Sequence, residues 1–210
     1  MDAVTTIATE RIVAVVRARS IADAGGLAKT LLALEVSCLE ITMTTAGALE
    51  AIEGARAAGA VVGAGTILDP DEATAAIDAG AQFLVSPVTD DDCMAVARRS
   101  GIPIVPGALT PTEILNAYRK GAAAVKLFPA RTLGPPGVRD LHAIFPKINL
   151  IPSGGVDAEN AGAYLQSGAL AVFAGGAALP AHFVESGQHD ALEVSIAKLV
   201  AAVRSSPPNT

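Results

Sequence analysis

Aromatic residues are scarce in this 210-residue chain: they make up 3% of it, and tryptophan is absent. Single-stranded nucleic acid is usually held by rings on which bases stack. Fifteen Lys+Arg against twenty-one Asp+Glu, for a net charge of −6, leave no basic excess to replace them. Nucleic acid is therefore not an expected partner. The two cysteines, Cys38 and Cys93, are too few and too far apart for a disulfide framework, which fits a reducing compartment. With only His142, His182 and His189 beside them, no metal-ligand spacing appears, and neither a metal nor another cofactor is expected. Long apolar runs are also missing. None approaches the roughly 20 residues of a membrane span, and "MDAVTTIATERIVAVVRARS" has no basic stretch before an apolar core. The expectation is a soluble, cytoplasmic protein with no membrane partner.

What the chain does have is 51% hydrophobic residues and a regular alternation. Eight β-rich stretches recur: "RIVAVVRA" from 11, "SCLEITM" from 37, "AVVGAGTI" from 60, "AQFLVSP" from 81, "IPIVPGAL" from 102, "AAVKLFPA" from 123, "INLIPSGG" from 148 and "ALAVFAGG" from 169. Between them lie Ala-rich, charge-bearing stretches of helical period, many ending at Gly. Thr110 with Pro111 and Glu113, Asp69 with Pro70 and Glu72, and Ser20 with Asp23 each read as a helix start just after a strand. Evenly spaced βα units without a second domain predict a closed (βα)8 TIM barrel, one α/β domain over 1–210. "AVTTIATE" reads as a short helix under the barrel. "HDALEVSIAKLVAAVRSS" reads as a C-terminal helix, followed by a frayed tail at 207–210.

Chemistry in such a barrel sits at the C-terminal ends of the strands. Polar residues late in strands are Arg17, Glu40, Thr66 and Lys126. Alternation in "SCLEITM" puts Cys38, Glu40 and Thr42 on one face, and in "AAVKLFPA" it puts Lys126 and Phe128 inward. A lysine and a carboxylate then share one cavity. Burial among apolar groups disfavours an ammonium, so the neutral amine becomes available to attack a carbonyl, and a nearby carboxylate can shuttle the protons. Arg17 and the Thr66 hydroxyl suit a substrate carboxylate, with Gly63 and Gly65 allowing close approach. Ser153, Gly154 and Gly155 in "SGGV", and Gly175 and Gly176 in "AGGAA", suit an anion through backbone N–H groups.

Each of these residues also has a structural reading. A strand lysine can snorkel at a rim, Glu40 can pair with Lys126 or Arg17, Thr66 can cap a helix, Arg17 can be a solvated strand end, Phe128 can be core, and the glycine pairs can serve ordinary tight turns. A phosphate-binding isomerase or synthase with Lys126 as an anchor, and a non-catalytic small-acid-binding barrel, both stay open.

The segments "IVAVVRA", "LEIT", "GAGTILDP", "AGAQFLVSP", "PIVPGALTPTEI", "KLFPA", "LGPPGV" and "PSGGV" together resemble the class I 2-keto-3-deoxy-6-phosphogluconate (KDPG) aldolases and their 4-hydroxy-2-oxoglutarate (KHG) and phosphogalactonate relatives. The resemblance implies that Lys126 forms the Schiff base, that Glu40 is the general acid/base, and that Arg17 and Thr66 bind the carboxylate. Pro87 joins the candidate substrate-binding residues. It further implies a metal-independent homotrimer cleaving a 2-keto-3-deoxy sugar acid to pyruvate and an aldehyde. Two positions depart from some relatives: Thr44, where others carry arginine, and Ala177, where a serine is common.

Overall fold

The structure, a computed structural model, describes residues 2–207. Helix α1 (Ala3–Glu10) opens the chain. There follow β1 (Ile12–Val16), α2 (Ala24–Ala33), β2 (Cys38–Thr42), α3 (Ala48–Ala57), β3 (Val61–Gly65), α4 (Pro70–Asp78), β4 (Phe83–Val85) and α5 (Asp91–Ser100). The second half runs β5 (Ile104–Val105), β6 (Gly107–Ala108), α6 (Pro111–Arg119), β7 (Val125–Leu127), α7 (Gly134–Ile144), β8 (Leu150–Pro152), α8 (Ala161–Gln166), β9 (Val172–Ala174), α9 (Ala181–Ser186) and α10 (His189–Arg204). Every expected β-rich stretch contains a strand. The one at 102–109 is divided into β5 and β6 by Pro106, which has no N–H to give a ladder.

The fold is α/β with parallel pairing. One sheet runs β5-β4-β3-β2-β1-β9 and the other β6-β7-β8. Rather than one continuous ladder of eight strands, the hydrogen bonding is split into six strands and three. The two sheets meet where β5 passes into β6 across Pro106. They meet again at a parallel bridge between Ser153 and Phe173, beside a Leu170 N–H to Leu150 carbonyl bond of 2.9 Å.

Two apolar layers follow from strand alternation. Leu39, Ile41, Val125 and Leu127 face the helices and pack with Leu27, Leu31 and Ile52. Val13, Val15, Cys38, Phe83, Val85, Val105, Ile151 and Phe173 fill the concave side, joined from below by Ala3 and Ile7 of α1. That helix is tied down by Glu10, whose carboxylate accepts the Ser37 N–H (2.9 Å), the Cys38 N–H (3.3 Å) and the Ser37 hydroxyl. The helix thus occupies the face opposite the strand C-terminal ends. Burial pushes the Cys38 thiol up to about 12, with the Glu10 charge adding to it.

Capping sets where the loops end. Thr110 and Glu113 form a reciprocal capping box, and the bonds from Leu109 N–H and Thr110 N–H hold the Glu113 carboxyl below its ordinary range. Asp69 accepts the N–H groups of Asp71 and Glu72. The start predicted at Ser20 is corrected. Asp23 caps α2 through the Gly26 N–H (2.8 Å), while Ser20 bridges to Ala46. A hydroxyl three residues earlier is out of reach of the first turn.

Residues 208–210 of the expected tail lie outside the described residues. The carbonyls of Ser206 and Pro207 accept from the Arg11 guanidinium. Among the described residues, no helix is long and apolar enough to cross a membrane, and no cluster of three or more His, Cys, Asp or Glu could hold a metal ion.

Candidate active site

Lys126 is the middle residue of β7 and is 2% exposed. Its register fixes it between Gly107 and Ile151, and Val125 and Leu127 on either side face the helices. Lys126 therefore points to the concave side, as alternation predicts. Glu40, in the middle of β2, is paired between Val15 and Gly63 and is fully buried. The two side chains meet with Nζ 3.6 Å from Oε1.

Around that pair the surroundings are apolar. The ammonium head lies 5.3 Å from the Phe173 ring centroid and 5.7 Å from that of Phe128. Neither oxygen of Glu40 accepts a hydrogen bond from a described residue. A buried carboxylate normally collects donors, so lone pairs left open beside an amine suit a group that takes up and returns protons.

The glycines of β3 have different tasks from those expected. A Cβ on Gly65 would lie 1.9 Å from Glu40 Oε1, so the carboxylate lies where any side chain at 65 would be. A Cβ on Gly63 would lie 2.2 Å from the Phe83 ring. The expected approach of substrate to these two glycines is corrected: their space is taken by protein side chains.

Thr66 follows at φ +59°, a costly conformation for a β-branched residue. It is held by neighbours on each side, with Gly65 C=O accepting from Met43 and Ile67 N–H donating to Val85. Its hydroxyl accepts from the Arg17 guanidinium at 3.5 Å. Thr66 does not cap α4, a task that falls to Asp69.

The two phenylalanines beside the pair, Phe128 and Phe173, also line a cavity of about 380 Å³, whose lining does not include Lys126, Glu40 or Thr66. It brings together Arg17, Phe128, Ser153, Gly154, Gly155, Gly175 and Gly176 of the expected residues. Both glycines of the β8 turn have positive φ, +85° and +88°, and a Cβ on Gly175 would sit 2.9 Å from the Val15 carbonyl oxygen. Pro87 is not in this cavity. It lines a neighbouring one of about 350 Å³ with Gly107 and Glu113, and Phe128 borders both. Arg131 and Asp157, which sequence reasoning missed, line the larger cavity. The only signal for Arg131 was a charge in the loop after a strand end, a pattern common to many surface residues.

Parallel strands flanked by helices, with a lysine and a carboxylate buried side by side in the middles of β7 and β2, form a site suited to carbonyl chemistry. The chain belongs to the KDPG and KHG aldolases, whose family model matches residues 4–195, and it is a class I aldolase. The 2-dehydro-3-deoxy-phosphogluconate aldolase of Pseudomonas aeruginosa is 37% identical over 180 residues, 84% of this chain and 82% of the relative. That of Treponema pallidum is 34% identical over 182 residues, 84% and 86% of the two chains. A crystal structure of a 4-hydroxy-2-oxoglutarate/2-dehydro-3-deoxyphosphogluconate aldolase superposes with a TM-score of 0.87 at 36% identity, covering 97% of this chain and 99% of that one.

Proposed function

We propose that this chain cleaves 2-dehydro-3-deoxy-6-phosphogluconate to pyruvate and glyceraldehyde 3-phosphate, with Lys126 as nucleophile and Glu40 as proton shuttle. The observation that carries the residue roles is the isolated Lys126–Glu40 pair, 3.6 Å apart among phenylalanines. The names of the relatives support the substrate.

Neutral Lys126 Nζ adds to the C2 carbonyl, one proton of the nitrogen passes to the carbinolamine oxygen, and that oxygen, protonated again by Glu40, leaves as water to give an iminium. Glu40, now a carboxylate, takes the proton of the C4 hydroxyl. The C3–C4 bond breaks, its electrons flow into the iminium, and the aldehyde departs. The remaining enamine is protonated at C3 by Glu40, and water hydrolyses the iminium to pyruvate and free lysine, the released proton returning to Glu40. Arg17 and Thr66 hold the C1 carboxylate, whose position beside C2 orients the carbonyl. Phe128, which borders both cavities, lines the path of the leaving aldehyde. Ser153, Gly154, Gly155, Gly175 and Gly176 receive its distal phosphate.

The same reading takes the chain as one domain over 1–210 in which the two sheets close into a (βα)8 barrel, supported by the junctions at Pro106 and at Ser153–Phe173. It takes the assembly as a homotrimer, with exposed Leu68 and Val88, after β3 and β4, as apolar surface available for burial.

The test is intact mass after incubation with pyruvate and borohydride, followed by peptide mapping. One reduced pyruvate adduct on the Lys126 peptide, absent in Lys126→Ala, is expected. An adduct elsewhere, or full pyruvate release by folded Lys126→Ala, refutes the assignment.

A further inference from the structure

The larger cavity holds a cation to which neither the residue pattern nor the reaction above assigns a task. Arg131 lies in the short 3-10 turn Ala130–Thr132 that follows the lysine strand. Backbone bonds fix that turn against β8: Ala130 N–H donates to the Ser153 carbonyl (2.7 Å) and Arg131 N–H to the Gly154 carbonyl (3.1 Å). The buried Tyr164 hydroxyl donates to the Ala130 carbonyl (3.2 Å). The Arg131 side chain crosses Gly155. A Cβ on that glycine would come within 2.9 Å of Arg131 Cβ and 3.8 Å of Nε.

Arg131 makes no side-chain hydrogen bond or ion pair with a described residue. Arg19 and Arg204 each pair with a glutamate, and Arg11, Arg56 and Arg98 donate to carbonyls; Arg99, Arg119 and Arg139 are as unpaired as Arg131, but none of them lines this cavity. Arg131 is thus a cation on a cavity wall whose backbone is fixed and whose side-chain donors are unspent. The other charged residues of that wall are Arg17, directed to Thr66, and Asp157, whose Oδ1 accepts the N–H groups of Glu159 and Asn160. The wall carries one net positive charge. In the same cavity, the β9 turn Gly175–Ala177 offers backbone only, because position 177 is alanine.

We propose that Arg131 determines specificity for the distal end of the substrate, holding a dianionic phosphate ester in the fork of its guanidinium against the Gly154–Gly155 and Gly175–Gly176 turns. The inference rests on the aldolase reading and adds to it the side chain that selects a phosphorylated substrate. A neutral hydroxyl at position 177 is then not needed, since a full charge supplies the selectivity from the turn after β7.

The experiment compares wild type, Arg131→Ala and Arg131→Lys on two substrates differing only in the terminal phosphate, 2-keto-3-deoxy-6-phosphogluconate and 2-keto-3-deoxygluconate. Expected for Arg131→Ala is a loss of kcat/KM of about 10- to 150-fold on the phosphorylated substrate, mostly in KM, the range that hydrogen bonds to a charged group supply. The non-phosphorylated substrate and the rate of borohydride trapping with pyruvate should stay within about 2-fold, because neither uses the distal wall. Arg131→Lys should fall between, since a point charge keeps attraction but loses the fork. Equal losses on both substrates, or no loss on the phosphorylated one, overturn the proposal. Stabilisation of the wild type by inorganic phosphate, lost in Arg131→Ala, tests the anion site without turnover. Failure of the wild type to trap pyruvate would strike the aldolase reading and this inference with it, while trapping without phosphate selectivity at Arg131 would strike this one alone.

Discussion

Lys126 and Arg131 are joined by one strand end and one short turn, yet they sit in opposite surroundings. Lys126 is 2% exposed, flanked by rings and one carboxylate, while Arg131 is exposed on a cavity wall made of loops. The lysine is placed by hydrogen-bonded register on both sides, which leaves its direction no freedom. The arginine is placed by a turn that leans on the next strand's loop. A rigid floor suits bond-making, which tolerates little displacement, and loops suit selection, which can change without disturbing the floor.

That contrast can be broken most severely at the floor. Glu40→Gln keeps the shape but cannot exchange protons, and kcat for pyruvate release is expected to fall by about 10²- to 10⁴-fold. An unchanged kcat in steady-state assays would remove Glu40 from the mechanism. Gly65→Ala should come next. Its methyl would displace the Glu40 carboxylate, and misplacement on the order of 1 Å costs about 10²-fold in rate. Gly63→Ala, on the same strand, should instead push on the Phe83 ring and lower stability by about 1–3 kcal/mol in urea unfolding, with kcat nearly kept. Loss of stability without loss of rate at Gly65 would reverse these assignments.

The smallest effect is on pH dependence. Cys38 is raised by burial and then by Glu10, and Cys93 by burial and then by Asp90, each to about 12. In the unfolded chain these thiols ionise near pH 8.5. Above that pH the unfolded state binds fewer protons, so their contribution is whole below about 8.5 and is lost as pH rises toward about 12. The slope approaches about 1.4 kcal/mol per pH unit for each thiol. Urea unfolding between pH 8 and 10.5 should show the decline, and Cys38→Ala should flatten it. An identical slope in the variant would show that Cys38 carries none of it.

Much of the floor was legible in the residues. Alternation in "SCLEITM" and "AAVKLFPA" set Glu40 and Lys126 on the concave side, and the capping pairs at Asp69 and Thr110 marked helix starts that the structure shares. The walls were not legible to the same degree. Pro87 was grouped with residues from which Phe128 separates it, and Arg131 looked like any loop charge.

By itself the sequence determined the alternation of strands and helices, the inward set on each strand and the apolar setting of one lysine, because period-2 and helical patterns are local properties of the chain. Only the tertiary structure decided that Gly65 clears space for Glu40, that Gly63 clears space for Phe83, and that Arg131 crosses Gly155. Those are distances between segments remote in sequence. They depend on strand register and on which loops meet above the sheet, and no local pattern encodes either.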